Sequence, residues 1–283
     1  MINTKININE AINFGANELK NITKRARYES EILLSGAIKK DKIYIILNNS
    51  YFISESETEI FKNYIFRRKN GEPIEYIIEK VSFYSMNFYI SKGALIPRPE
   101  SEILVDLAFE LLKNKKNANI LEIGVGSGAV SIAVAIKLQN SKIVAIDISR
   151  DALKIAHKNI KIFNLEDRIE LIESNLFENI KNINFDLIIS NPPYISLNEK
   201  GKLQRELDFE PDEALYGGEV GDEVLKKIIE TWFLRNEILL LCEMGYDQKE
   251  NIINFINNRA KIEFFKDLAG FDRGFILKKI FNI

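Results

Sequence analysis

The sequence predicts an α/β protein built on a doubly wound, mostly parallel sheet, and three observations carry that expectation. From residue 119 onward, apolar runs alternate with amphipathic stretches: strand 119–123, helix 127–138, strand 142–147, helix 150–163, strand 169–173, strand 185–190, helix 222–235, strand 237–243, helix 247–258, strand 261–266 and strand 274–281. Glycines at 124, 126 and 128 follow the first of these strands. Another strand runs straight into Asn191-Pro-Pro-Tyr194, where two prolines forbid both sheet interior and helix. In such sheets ligands bind beyond the carboxyl ends of the strands. Gly124, Asp147, Asn175 and Asn191 each follow such an end, so one rim collects them. The two final strands have no helix between them, which predicts an antiparallel hairpin at one edge.

The N-terminal part reads differently. Ile8, Ile12, Leu19, Ile22, Ala26, Leu33 and Ile38 recur at helical spacing, with a break expected near Tyr28 to Ser30. A further helix starts at Ser54, where Ser54 and Glu57 have capping-box spacing, and stops at Asn70-Gly71. Lys24, Arg25, Arg27, Arg67, Arg68 and Lys69 make either a partner-facing surface or ordinary solvated helix faces. Tyr76 to Ile78 and Phe83 to Ile90 are aromatic and β-branched, and read as a hairpin or extended connector. The prolines of Leu95-Ile-Pro-Arg-Pro-Glu100 fix a turn, after which Glu100 or Ser101 opens a helix to about Lys113. Three regions are therefore expected: a helical domain at 1–72, a hairpin connector at 73–94 and an α/β domain at 95–283.

Composition bounds the function. With 283 residues, 46% of them hydrophobic, the chain has ample material for a full core. Its net charge of −2 creates no global basic field for nucleic acid, so no direct nucleic-acid partner is expected. No apolar run approaches the roughly 20 residues of a membrane span, and Met1 to Glu10 lacks a signal-peptide layout; a cytoplasmic monomer without membrane attachment is the expectation. Cys242 is the single cysteine and His157 the single histidine, so a disulfide, a zinc cluster and a Ser-His-Asp triad all lack their parts, and no metal is expected. Cys242 reads as a buried strand residue and His157 as a mid-helix residue without a catalytic part.

The chemistry concentrates on two motifs. In Glu122-Ile-Gly124-Val125-Gly126-Ser127-Gly128 the glycines allow a tight turn and close approach to a ligand at a helix N-terminus. The spacing is G-x-G-x-G, not the dinucleotide G-x-G-x-x-G, which tilts the reading from NAD to S-adenosylmethionine. Asp147 ends the next strand about 20 residues on, where a carboxylate can accept from both ribose hydroxyls. Ile148 and Leu176 offer apolar faces for adenine, with Asn175 at its polar edge. Each of these has a plainer alternative: a turn glycine, a helix-capping acid, a loop residue. At the second motif, the Asn191 side chain and the Pro192 carbonyl offer acceptors for both hydrogens of a planar NH2 group, and Tyr194 offers a ring to stack on its plane.

These residues resemble the Asn-Pro-Pro-Tyr methyltransferases, which modify planar nitrogens of adenine, cytosine or glutamine. The chain looks most like the subfamily that N5-methylates the glutamine of the Gly-Gly-Gln motif in bacterial peptide chain release factors. The resemblance covers Gly71-Glu-Pro-Ile74, Leu95 to Glu100, the glycine loop, Asp147, Asn191 to Tyr194, Phe209-Glu-Pro211 with Ala214-Leu215, and Asp272-Arg-Gly274. It implies a Rossmann-like class I S-adenosylmethionine-dependent methyltransferase sheet, with a small N-terminal helical substrate-recognition domain joined by a β-hairpin connector. It further implies cofactor contacts at Gly124, Val125, Gly126, Ser127, Gly128, Asp147, Asn175, Leu176 and Asn191, substrate contacts at Asn191, Pro192, Pro193 and Tyr194, and catalytic roles for Asn191, Pro192 and Tyr194. Ser174-Asn-Leu-Phe177 departs from the family, which often has an acid and a bulky aromatic there. Three rival readings remain: a glutamine methyltransferase of a ribosomal protein, which resembles Pro-Arg-Ser-Pro where this chain has Pro97-Arg98-Pro99-Glu100; a DNA or RNA adenine methyltransferase, which needs a basic track; and a non-catalytic module that kept the fold. Tyr216 to Asp222 is read as a lid or a long loop.

Overall fold

The computed structural model describes residues 5–180 and 184–280. The last residue of the strand expected over 274–281, the outer limits of the expected domains at 1 and 283, and Met1–Thr4 of the polar N-terminus lie outside those residues. The chain divides into two compact units, Met1–Lys80 with Gln204–Phe209, and Val81–Leu203 with Glu210–Ile283.

The first unit contains α1 (Ile8–Leu19), α2 (Ala26–Ile38), α3 (Lys42–Leu47), α4 (Glu55–Lys69) and α5 (Ile74–Ile78). Capping boxes start two of them, Asn7 with Glu10 at α1 and Ser54 with Glu57 at α4. Ile8, Ile12, Leu33, Phe61 and Ile65 fill the core between them. Arg68 is buried, donating to Glu29 Oε2 at 2.7 Å and to Glu206 Oε1 at 2.9 Å.

Three expectations fail here. Arg68, expected on a partner-facing surface or a solvated helix face, is buried because Glu29 and Glu206 pair with its guanidinium. The chain does not break at Tyr28 to Ser30, which lie inside α2; the interruption is at Lys20 to Arg25. Glu29 and Ser30 are polar yet buried, because Arg68 donates to Glu29 and Ser30 Oγ donates to the Ile12 carbonyl at 2.9 Å. Tyr76 to Ile78 is helix, not strand. Pro73 leads into that turn, its carbonyl accepting from Ile77 N, and Ile74, Ile77 and Ile78 pack on the helical core at i, i+3, i+4 spacing. The helix α3 was not foreseen at all.

The second unit opens within the hairpin of β1 (Lys80–Phe83) and β2 (Met86–Tyr89), turned by Tyr84 and Ser85, both at positive φ as a two-residue type I′ turn requires. A short 3-10 turn at Pro99–Ser101 leads into α6 (Glu102–Leu112). Then follow β3 (Asn119–Ile123), α7 (Ala129–Lys137), β4 (Lys142–Asp147), α8 (Arg150–Ile162), β5 (Ile169–Glu173), β6 (Leu187–Ser190), β7 (Ile195–Ser196), α9 (Asp212–Leu215), β8 (Tyr216–Gly218), α10 (Glu223–Leu234), β9 (Leu239–Glu243), α11 (Lys249–Ile256), β10 (Ala260–Lys266) and β11 (Asp272–Lys279).

The main sheet has seven strands in the order β10-β11-β9-β6-β3-β4-β5. Its five-strand block from β9 to β5 is parallel, and the antiparallel pair β10/β11 forms the edge beyond β9. The fold and the edge hairpin thus match the expectation. The chain leaves β3 for β4 and β5 on one side and returns to β6 on the other, so the switch point lies between β3 and β6. One core layer lies under α10 and α11, with Leu225, Ile228, Trp232, Ile252 and Phe275 buried against the strands. Tyr216 to Gly218, expected in a lid or loop, pairs in parallel with Ile195–Ser196 as a small separate sheet.

Candidate active site

At the switch point the strand ends frame a cavity of about 340 Å³, a size within the usual range for small-molecule sites. Gly124, Val125, Gly126, Ser127, Asp147, Asn175, Leu176, Asn191, Pro192 and Pro193 all line it, with Ile148 beside them. Two of the expected residues stand apart. Gly128 lies against Ala156 of α8, its own Cα so close that an added Cβ would sit 3.4 Å from that residue at φ +82. Among the described residues, Tyr194 is not part of the lining; its hydroxyl donates to Glu243 Oε1 at 3.2 Å.

The glycine loop is shaped by its backbone. Gly124 N and Val125 N both donate to the Ile146 carbonyl at 2.9 Å, tying the loop to β4. Gly126 N donates to Asp147 Oδ2 at 2.9 Å, and Ser149 N donates to Asp147 Oδ1 at 2.9 Å. The expectation from sequence is that Asp147 serves a ligand; in the fold it also clamps the loop. Burial pushes its carboxyl above the usual range, against the pull of those N–H donors. Glu122, buried at the base of the loop, accepts from Ser131 Oγ, and burial pushes its carboxyl up to about 8.

Asn191 is the first residue after β6, and its Nδ2 donates to Ser101 Oγ at 2.9 Å. Ser101 Oγ in turn donates to Glu243 Oε2 at 2.6 Å. Burial raises the Glu243 carboxyl to about 7, opposed by Ser101, Arg273 and Tyr194; burial and the Glu243 charge also push the Tyr194 phenol up. Gln248 Nε2 donates to the Tyr194 carbonyl at 3.1 Å, fixing the chain just past the two prolines. Glu210, also buried, accepts from Ile96 N at 3.0 Å and pairs with Arg98, so Glu210 meets the proline-rich turn. Cys242 is buried in β9, burial raising its thiol, and His157 is exposed on α8.

Four of these residues escaped the sequence reading as site residues: Ser101, Glu243, Asn159 and Glu210. Asn159 Nδ2 donates to the carbonyls of Ser127 and Tyr89, both at 2.8 Å, and its Oδ1 accepts from Tyr89 N at 2.8 Å. Glu243 had a usable signal, since it is an acid at the carboxyl end of an apolar strand, on the same rim as Asp147. Asn159 had none, because a mid-helix asparagine is indistinguishable in sequence from a solvated one.

Comparison with known proteins agrees with this geometry. Residues 101–209 match the family described as Methyltransferase small domain, and residues 10–78 match PrmC N-terminal domain. A release factor glutamine methyltransferase of Clostridium acetobutylicum is 36% identical over 252 residues, covering 87% of this chain and 88% of that one. One of the same description from Dictyoglomus turgidum is 36% identical over 273 residues, covering 94% and 95%. The chain belongs to the release factor glutamine methyltransferase family. Family membership makes it a methyltransferase with S-adenosylmethionine as cofactor. A solved structure of the human Mettl16 catalytic domain, in complex with the MAT2A 3′UTR hairpin 6, shares the fold at 15% identity and a TM-score of 0.58, covering 83% of this chain and 86% of that one.

The family's cofactor fits the cavity on the chain's own features. Gly126, at φ +54, has no atom within 4 Å of the place a Cβ would take, so the loop leaves open room where a side chain would intrude. Ile148 and Leu176 supply apolar walls, and Asp147 and Asn175 supply polar groups.

Proposed function

We propose that this protein transfers a methyl group from S-adenosylmethionine to the N5 amide nitrogen of the glutamine in the Gly-Gly-Gln motif of peptide chain release factors. The observation that carries the reading is the placement of Asn191, Pro192 and Pro193 on the wall of the same cavity as the glycine loop and Asp147. The names of the relatives, at 36% identity across nearly the whole chain, support the choice of substrate.

When bound, S-adenosylmethionine supplies an electrophilic methyl carbon on a sulfonium centre. The chain's own task is then to make an amide nitrogen attack, which it resists because its lone pair is delocalised into the carbonyl. Asn191 Oδ1 and the Pro192 carbonyl accept the two N–H hydrogens of the substrate amide, which localises the lone pair and opposes the positive charge that grows on nitrogen. Pro193 flanks the place that receives the planar group, Tyr194 stands outside the lining and is held by Glu243, and Asp147, Asn175 and Leu176 hold the nucleoside end. In the transfer the nitrogen would gain a bond to the methyl carbon as the carbon–sulfur bond breaks with its electron pair left on sulfur, and would give up one proton to water, so the product is a secondary amide.

The test is incubation of the protein with labelled methyl donor and, separately, a release factor, its variant lacking the Gly-Gly-Gln glutamine, a ribosomal protein and DNA. Label on the release factor, lost in that variant, is expected. Label on ribosomal protein or DNA instead would transfer the assignment to another substrate class.

A further inference from the structure

Ser101 and Glu243 are both buried, one in the turn before α6 and the other at the end of β9, and they meet beside Asn191, where Ser101 also lines the cavity. Ser101 Oγ lies 2.9 Å from Asn191 Nδ2 and 2.6 Å from Glu243 Oε2, and the Tyr194 hydroxyl lies 3.2 Å from Glu243 Oε1. A carboxylate only accepts, an amide NH2 only donates, and a hydroxyl has a single hydrogen to give. The direction of the whole chain of bonds therefore follows from its acidic end. Glu243 takes the Ser101 hydrogen, Ser101 is left with lone pairs alone, and the NH2 half of Asn191 turns towards them. Its oxygen is the end that remains for a ligand.

We propose that Glu243 is a positioning residue for methyl transfer: acting through Ser101, it sets which end of the Asn191 amide faces the substrate, so that the incoming glutamine meets an oxygen and not a second NH2. This deepens the reading given under Proposed function and rests on it, since the acceptor serves a substrate that presents a planar NH2 group there.

The groups around Glu243 make the device sensitive to protons. Arg273 on β11, itself paired with Asp267, and the Ser101 and Tyr194 hydroxyls favour the charged carboxylate, whereas burial and Glu100 oppose it. A protonated Glu243 becomes a donor to Ser101, whose hydrogen then goes to Asn191 Oδ1 and turns the NH2 outward. Activity is expected to fall on the acid side of about pH 7 for this reason.

The test uses Ser101→Ala, Ser101→Thr and Glu243→Gln with two readouts. The first needs neither cofactor nor substrate: solvent exchange of the Asn191 side-chain amide hydrogens, followed by NMR, is expected to accelerate about tenfold or more in Ser101→Ala and to stay near wild type in Ser101→Thr. The second is kcat against pH on the release factor. Ser101→Ala and Glu243→Gln are expected to lose about tenfold or more in kcat with KM within about threefold, Ser101→Thr to stay within about threefold, and Glu243→Gln to lose the acid limb. Unchanged exchange in Ser101→Ala, or wild-type kcat with the same acid limb in Glu243→Gln, overturns the proposal. If Glu243→Gln does not fold, the two Ser101 variants decide alone. A wild-type protein that leaves the release factor unlabelled defeats the functional reading, while the exchange experiment still reports on the orientation.

Discussion

Asn159 reaches from α8 to the Ser127 carbonyl at 2.8 Å, so the glycine loop is held from behind by a fully buried amide as well as from the front by Asp147. The same amide exchanges two hydrogen bonds with the Tyr89 backbone, joining β2 to that loop. Asn159→Ala leaves buried backbone groups without partners, at about 1–3 kcal/mol for each group that water cannot reach. Urea unfolding is expected to show a loss of about 3 kcal/mol, and calorimetry a weaker cofactor affinity. A variant with the wild-type midpoint would show that water replaces the amide.

Asp147→Ala removes both the clamp on Gly126 and the carboxylate facing the cavity. Loss of charge-assisted hydrogen bonds is expected to weaken S-adenosylmethionine binding by roughly 1.5–3 kcal/mol. An unchanged dissociation constant in calorimetry would refute the role.

Gly126→Ala separates backbone strain from ligand fit. The residue sits at φ +54, where an L side chain costs roughly 1–2 kcal/mol, and its Cβ would project into open space. A modest drop in melting temperature is expected together with a larger loss of cofactor affinity. Equal losses in both would mean that the added methyl meets no ligand.

Glu122 gives a pH dependence of stability. In the fold its carboxyl keeps a proton up to about 8, whereas its ordinary value is 4.5. Between those limits the folded protein binds more protons than the unfolded chain, so this group's stabilisation is complete at low pH and is lost as pH rises. The slope is at most about 1.4 kcal/mol per pH unit. Glu122→Gln is expected to flatten the fall of the urea midpoint across that window, and an unchanged slope would place the proton elsewhere.

Arg68→Ala leaves Glu29 buried without its partner. Breaking a buried pair from one side costs about 3–5 kcal/mol, and urea unfolding of the full chain is expected to show a loss of that order. A change below about 1 kcal/mol would mean that Glu29 reaches water or takes up a proton.

The sheet was legible because its strands are short apolar runs with few competing readings, and the rim because the cavity-lining residues follow the strand ends directly. Tyr76 to Ile78 misled because β-branched and aromatic residues were read for their local preference, while packing against Ile8 and its neighbours decided the outcome. Glu29 and Ser30 misled for a related reason: polar residues look like a helix break until their partners, Arg68 and the Ile12 carbonyl, are known. The Ser101 to Glu243 contact joins residues 142 positions apart, and nothing local announces such a pair. Asn191 stood out in sequence; what orients it did not.

Gln204–Phe209 belongs with the helical unit although it lies far along the chain, in the stretch that follows Asn-Pro-Pro-Tyr. A polypeptide ending at Lys80 would therefore carry Arg68 without Glu206, one of its two carboxylates. Excising the helices at the obvious seam yields an incomplete piece, and any fragment meant to be studied in isolation must have that distant hexapeptide supplied, by fusion or as a separate peptide added back.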